Sequence, residues 1–425
     1  MKGPPVSTID RRNFLQAAAA AGAAGALTSA NAATQSGAAS EKLHFALVGA
    51  GGQGCWDAGW LLKTPGAKLT AICEINPTRV AAAKQLAPDA RVYDDWNEML
   101  AQEGDLQAVL VALPEHTHAE ASIAAMNAGV DVFCEKPMAF STEQARGMIA
   151  ARDKNNCVLQ IGQQRRSNPL YYLAERLVRD EGLIGEVLRI DAFWDRWADW
   201  TRPLPELEQD FSRWGFPTLN HLINWRLYRQ YGHGLITENG THQLDASSWL
   251  LGEMKAKRVA GMGAIRYDDQ RETHDICTAE YLFENDTIVR FSQDFHQGLN
   301  YGWSYGELLL GSEAALRITA EQEMFLYDRN RKETRIPIER LGDIEIAGVE
   351  SPTADLQAAE ADRSGGGLRT YSYAHEMRIF NHCVRHRTQP SCTGEIGHNA
   401  IAFTVTGATA QYDGVVCEFE NGAFV

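Results

Sequence analysis

The sequence predicts an α/β chain: a doubly wound parallel-sheet domain, then an α+β domain with a mainly antiparallel, open sheet. Three observations carry this expectation. The apolar run Leu43-His44-Phe45-Ala46-Leu47-Val48 leads into Gly49-Ala50-Gly51-Gly52-Gln53-Gly54, and a helix-compatible segment follows. From Lys42 to Gly162, short apolar runs alternate with helix-length segments, as they do where crossover helices cover both faces of a parallel sheet. Past Gly162 the strand-like runs follow one another, with Glu284-Asn285-Asp286 as a hairpin turn between two of them.

Taken in order, the chain opens on Asp10-Arg11-Arg12-Asn13-Phe14-Leu15-Gln16, an alanine-rich run through Leu27, and Ala30-Asn31-Ala32. This reads as a twin-arginine export signal with an A-x-A cleavage site. Residues 1–32 are therefore excluded from the fold, and residues 33–41 read as a linker of small residues. The twin-arginine machinery is the expected transport partner, and the periplasm or another exported location the destination. No other stretch approaches the roughly 18 apolar residues of a membrane span.

Residues 42–162 form the first domain. Its expected strands are Leu43–Val48, Lys68–Cys73, Ala108–Ala112, Asp131–Cys134 and Val158–Ile161. Its expected helices are Trp56–Leu62, Pro77–Leu86, Trp96–Ala101, His118–Ala128 and Thr142–Asn155. Residues 163–425 form the second. There the apolar stripe of Leu173, Ala174, Leu177 and Val178 predicts a helix over Leu170–Glu181. Antiparallel strands are expected at Glu186–Asp195, Lys255–Tyr267, Asp275–Phe283, Thr287–Phe295 and Trp303–Leu310. Residues 328–368 read as charged and irregular, ending in the flexible Ser364–Gly367, with closing helices at Tyr373–Arg387 and Gly397–Ala410. The open sheet offers a face for homo-oligomer formation.

A formal charge of -15 and a pI near 5.3 argue against a nucleic-acid partner, which asks for a basic face. The eight cysteines show neither C-x-x-C nor metal-ligand spacing. Free, mostly buried thiols are expected, and no metal.

The glycine-rich turn carries the first chemistry. Gly49 permits a tight turn, Gly51 lets backbone approach a pyrophosphate, and Gly54 lets helix and strand pack closely. Gly52 and Gln53 lie where a helix N-terminus offers unpaired N–H groups to phosphate. Glu74, twenty positions past Gly54, is placed to accept from ribose hydroxyls, which favours NAD; Arg79 leaves NADP open. Two loops follow strand ends, where ligands bind in open parallel sheets. One is Leu113-Pro114-Glu115-His116-Thr117-His118, whose histidines contact nucleotide or cap a helix. The other is Glu135-Lys136-Pro137, which sets a lysine at the crevice.

A second constellation lies in Gly234-Leu235-Ile236-Thr237-Glu238-Asn239-Gly240-Thr241-His242-Gln243-Leu244-Asp245. On one continuous helix Glu238, His242 and Asp245 share a face, an arrangement suited to proton transfer or to a buried structural histidine. The segment Trp194 to Trp225 interleaves Trp194, Trp197, Trp200, Trp214 and Trp225 with charged residues. It suits a sugar platform as well as it suits an aromatic core. Arg165 and Arg166, just past the last strand, are further substrate candidates.

Gly-x-Gly-x-x-Gly, Glu-Lys-Pro and the later Gly-x-x-x-Glu-x-Gly-x-His-x-x-Asp frame (Gly234 to Asp245) together resemble the Gfo/Idh/MocA oxidoreductases, from Lys42 to the C-terminus. The resemblance implies NAD(H) or NADP(H) and a sugar, polyol or related substrate. It implies that Lys136 touches the substrate hydroxyl and nicotinamide region, and that His242 is the acid/base with Glu238 as helper. It extends to Pro114, Glu115 and His116 as a nucleotide-contacting loop. Many members carry aspartate where this chain has Glu238. The site expected is thus Lys136, His242 and Glu238 for catalysis. Gly49, Gly51, Gly52, Gln53, Gly54, Glu74, Pro114, His116, Glu135 and Lys136 are expected at the cofactor, and Arg165, Asp245 and Trp197 at the substrate.

Three functions fit this reading. The first is an NAD(P)-dependent oxidoreductase acting on a carbohydrate hydroxyl. The second is a redox-neutral NAD-dependent glycosidase, which oxidises, eliminates and re-reduces with the same residues. The third is a dinucleotide-binding sensor. An exported protein meets little free NAD, so a tightly bound, internally recycled cofactor is expected.

Overall fold

The computed structural model describes residues 42–195, 200–267, 270–295, 305–362, 366–420 and 423–424. The first part is a parallel sheet of β1 (Leu43–Val48), β2 (Ala67–Cys73), β3 (Arg91–Tyr93), β4 (Ala108–Val111), β5 (Asp131–Glu135) and β6 (Leu159–Gly162). Its order is β3-β2-β1-β4-β5-β6. Strand order reverses beside β1, which opens a crevice beyond the strand carboxyl ends. Helices α1 (Gly52–Leu61), α2 (Pro77–Ala83), α3 (Trp96–Gln102), α4 (Glu115–Asn127) and α5 (Thr142–Asn155) make the connections. The strands are buried on both faces, with Phe45, Leu47, Leu110 and Phe133 on one side and Val48, Val109 and Val132 on the other.

Two details differ from expectation. β3 had no apolar signature, because only Tyr93 of its three residues is buried. α1 begins at Gly52 rather than Trp56, since the glycines of its first turn have poor helix propensity and mask the start.

The second part holds α6 (Pro169–Glu175), continued by a π-turn over Arg176–Asp180, then β7 (Val187–Trp194) and α7 (Leu219–Ile223). Next come α8 (Leu235–Glu238), α9 (Gly240–Leu250), β8 (Ala256–Ala264), β9 (Ile276–Phe283) and β10 (Ile288–Asp294). β11 (Tyr305–Gly311), β12 (Ala315–Thr319), β13 (Glu323–Tyr327) and β14 (Glu333–Ile336) follow. After them stand the separate pair β15 (Ile344–Ile346) and β16 (Val349–Ser351), and α10 (Thr353–Ala361). The chain closes with α11 (Gly367–His386), α12 (Gly394–Asp413), β17 (Cys417–Glu420) and β18 (Ala423–Phe424).

One ten-stranded sheet runs β14-β13-β12-β11-β7-β10-β9-β8-β17-β18. β7 and β10 pair in parallel, and the other strand pairs described in this sheet are antiparallel. Alternation in β9 buries Cys277, Ala279, Tyr281 and Phe283 in the core that also holds Leu244 of α9 and Phe403 of α12. The opposite face stays open, with Met262 76% exposed.

Residues 328–362 are regular where irregularity was expected, since they supply β14, β15, β16 and α10. Strands of three or four residues carry too few apolar positions for a period to show. Ser364 and Gly365 of the expected flexible connection lie outside the described residues, and Gly367 already opens α11. α11 and α12 also return to the first sheet: Phe380 joins the Phe133 side and Ile401 the Val132 side.

All eight cysteines are unpaired, and burial raises each thiol pKa. Among the described residues, no helix is long and apolar enough to cross a membrane.

The two sheets meet at a 3-10 turn, Gln164–Ser167, directly after β6. Arg165 is 1% exposed and pairs with Glu307 of β11 and Glu321. Arg166 pairs with Asp245 of α9 at 2.8 Å and Glu253 at 2.7 Å. Replacing one partner of such a buried set leaves the others charged and dry. Arg165→Ala should therefore lower unfolding free energy by about 3–5 kcal/mol, read from urea denaturation; a loss within error would show the pairing to be dispensable.

Candidate active site

The turn from β1 into α1 is built for a close ligand. Gly49 has φ +92, and a Cβ there would stand 2.5 Å from the Ala112 carbonyl oxygen. A Cβ at Gly54 would run into the Gly49 carbonyl oxygen, whereas Gly51 and Gly52 face open space. α1 has no side-chain cap at Gly51, so its first N–H groups remain available to an anion. Beside this turn lies a cavity of about 310 Å³ whose walls include Gly49, Gly51, Glu74, Arg79 and Pro114. These residues fit a dinucleotide: backbone donors for phosphates, a carboxylate for ribose.

Glu74 has a second task. Its oxygens accept from the Ala50 and Asn76 N–H groups, each at 2.8 Å, so it also holds the glycine turn in place. Gln53 donates from its side chain to buried Asp57 at 2.9 Å. His116 does not line the cavity; its ring is set against Tyr231 and Phe216. Burial lowers its pKa to about 4, so it offers phosphate no charge. His118, buried, bridges the two strand-end loops, with Nδ1 2.7 Å from Pro137 O and Nε2 2.8 Å from Leu113 O.

Lys136 and Gln163 follow β5 and β6, adjacent strands in which Glu135 pairs with Gly162. Lys136 Nζ donates to the Glu238 carbonyl at 2.7 Å and lies 3.6 Å from its carboxylate. Gln163 donates to Thr241 Oγ1 at 2.7 Å. Two neighbouring strand ends thus grip Glu238 and Thr241, and His242 follows directly. Its ring lies 5.6 Å from that of Trp194.

The expected continuous helix is broken. α8 ends at Glu238 and α9 starts at Gly240, with Asn239 between them. The Glu238 carboxylate meets Arg226 at 2.9 Å and Lys136, and Asp245 meets Arg166. Arg165 and Asp245, expected at the substrate, have their charges engaged by protein partners. Trp197 lies outside the described residues.

A model of the oxidoreductase family with an NAD-binding Rossmann fold matches residues 43–163, and one of the GFO/IDH/MocA C-terminal domain matches 172–317. The chain belongs to the Gfo/Idh/MocA family. Its N-terminus matches the twin-arginine signal sequence over residues 8–28. Levoglucosan dehydrogenase of Pseudarthrobacter phenanthrenivorans is 29% identical over 186 residues, 44% of this chain and 43% of that one. Inositol 2-dehydrogenase 2 of Saccharopolyspora erythraea is 30% identical over 189 residues, 44% and 47% of the two chains. The matched stretches span less than half the length of these relatives. The solved structure of an inositol dehydrogenase homolog from Azotobacter vinelandii, complexed with NADH and myo-inositol, shares the fold. Its TM-score is 0.66 at 20% identity, over 89% of this chain and 98% of that one.

In this Gfo/Idh/MocA chain, charge around Lys136 is dense. Burial works against the Glu238 carboxylate, yet Arg226 and Lys136 outweigh it and hold the pKa below the ordinary value. Glu115 is 1% exposed; burial, then the charge of Glu238, raises its pKa well above that of a free glutamate. Behind Lys136, Asp57, Glu135 and Glu376 are buried together. Burial raises all three, and the carboxyls raise Asp57 and Glu376 further. Among the described residues no cluster could hold a metal ion.

Sequence reasoning missed Gln163 and Arg226 as parts of this site. The rule that marked Lys136, a polar residue directly after a buried strand, marks Gln163 equally. Nothing local marks Arg226, whose partner Glu238 is a distant residue of another element.

Burial pushes the Glu135 carboxyl from 4.5 up to about 7, against the pull of Lys136. A raised carboxyl stabilises the fold below its unfolded pKa and loses that contribution as pH rises through the folded one. The stability of wild type relative to Glu135→Gln should fall between pH 4.5 and about 7, measured as unfolding midpoints across pH. A difference that stays flat would mean Glu135 does not titrate in this window.

Proposed function

We propose that this protein is an NAD-dependent dehydrogenase acting on a hydroxyl of a sugar or polyol. The observation carrying the reading is the grip of Lys136 and Gln163 on Glu238 and Thr241, which brings His242 to the strand ends where ligands of such sheets bind. The dehydrogenase relatives support the same substrate class.

Oxidising a secondary alcohol takes a proton from oxygen and a hydride from carbon. The bound nicotinamide supplies the hydride acceptor. Lys136 orients the hydroxyl, and its ammonium stabilises charge developing on oxygen. His242 accepts the proton. Glu238 is a positioning residue that fixes Lys136 through its carbonyl and carboxylate. Pro114 and Glu74 border the adenosine end, and Glu135 braces Lys136 by accepting its backbone N–H at 2.9 Å.

The twin-arginine signal supports export in the folded state, with the cofactor loaded beforehand and recycled in place. Lys136→Ala and His242→Ala should each lower kcat by a factor of about 100 or more, with NADH binding and unfolding midpoint near wild type. Full turnover in either variant would remove that residue from the chemistry. Incubation with aryl glycosides and no added nucleotide separates the two enzymatic readings: an oxidised sugar with matching reduced cofactor supports the dehydrogenase, and phenol release the glycosidase.

A further inference from the structure

Residues 200–231 fold over the dinucleotide cleft, with Trp200 at their start packed against the core of the second sheet. Phe211, Phe216, Leu222, Trp225 and Tyr231 form a small cluster of their own, joined by Ile75 at the end of β2. Such satellite clusters sit under long surface segments and stand apart from a domain core. The segment is fastened to the first sheet by few contacts. Arg213 pairs with Asp94, and the Trp214 indole donates to the Asp94 carbonyl at 3.1 Å. The cavity beside the glycine turn is walled on its other side by Trp214, Phe216 and Leu222 of this segment. An adenosine there would lie between the two.

Charge points to the same ligand. In a chain of formal charge -15, burial and then the nearby charges of Arg226 and Arg79 raise the cost of charging Arg202. Arg226 pairs with Glu238. Arg79 lines the cavity, and among the described residues neither Arg79 nor the neighbouring Arg202 forms an ion pair with a carboxylate. A pyrophosphate supplies two negative charges at that place.

We propose that residues 200–231 are a cap that binds the adenosine diphosphate half of the dinucleotide and slows its release. Trp214 and Phe216 cover the adenosine, Arg202 faces the phosphates, and the Arg213–Asp94 pair is the latch. The proposal rests on the dinucleotide reading above.

The test loads purified protein with NADH, chases with excess NAD, and follows the loss of bound-NADH fluorescence. Arg213 and Asp94 are surface residues, so their variants should fold. Breaking an exposed pair by Arg213→Ala or Asp94→Ala should speed release about threefold to fivefold, and exchanging the charges (Arg213→Asp with Asp94→Arg) should restore slow release. Trp214→Ala should speed release about tenfold, and Arg202→Ala should speed it and flatten its dependence on salt. Release at the wild-type rate in all these variants would overturn the cap while leaving the dinucleotide reading intact. A wild-type protein that binds no NADH would overturn both.

Discussion

Arg165 and Arg166 sit where two sheets become one molecule. Each guanidinium is buried, and each reaches a different element: Arg165 the strand β11, Arg166 the helix α9. Desolvating two arginines and their carboxylates is costly, and only matched geometry offsets it. The set therefore specifies one relative placement of β6, β11 and α9, because any slip leaves a charge dry. Since α9 carries His242 and β6 pairs with the strand that leads into Lys136, the same ion pairs hold the elements that bear these two candidate residues.

The same economy of position governs the carboxylates. Glu238 pairs with Lys136 and Arg226, which ties the loop after β5 to α8. Asp57, Glu135 and Glu376 lie deeper, and burial raises the pKa of each.

The parallel sheet was legible because its strands are buried on both faces and its glycine turn has a steric reason at Gly49 and Gly54. β3 was not, since an exposed edge strand needs little apolar surface. The site was half legible. Lys136 and His242 stand out by local pattern, whereas sequence spacing cannot show that Arg165 and Asp245 already have charged partners. Glu238, His242 and Asp245 were read on one continuous helix, which is interrupted at Asn239. Trp214 fell within a stretch that suited sugar platform and core alike; three-dimensional placement put it over a cavity.

The buried thiols have a consequence for the journey of the chain. A thiol reacts as its thiolate, and here every cysteine is pushed toward the protonated form by its surroundings. Extracytoplasmic compartments oxidise exposed cysteine pairs. A polypeptide crossing unfolded would present eight candidates for mispairing, whereas the folded chain buries six of them and half-buries Cys55 and Cys157. The match to a twin-arginine signal and a cysteine content unsuited to oxidative folding point the same way.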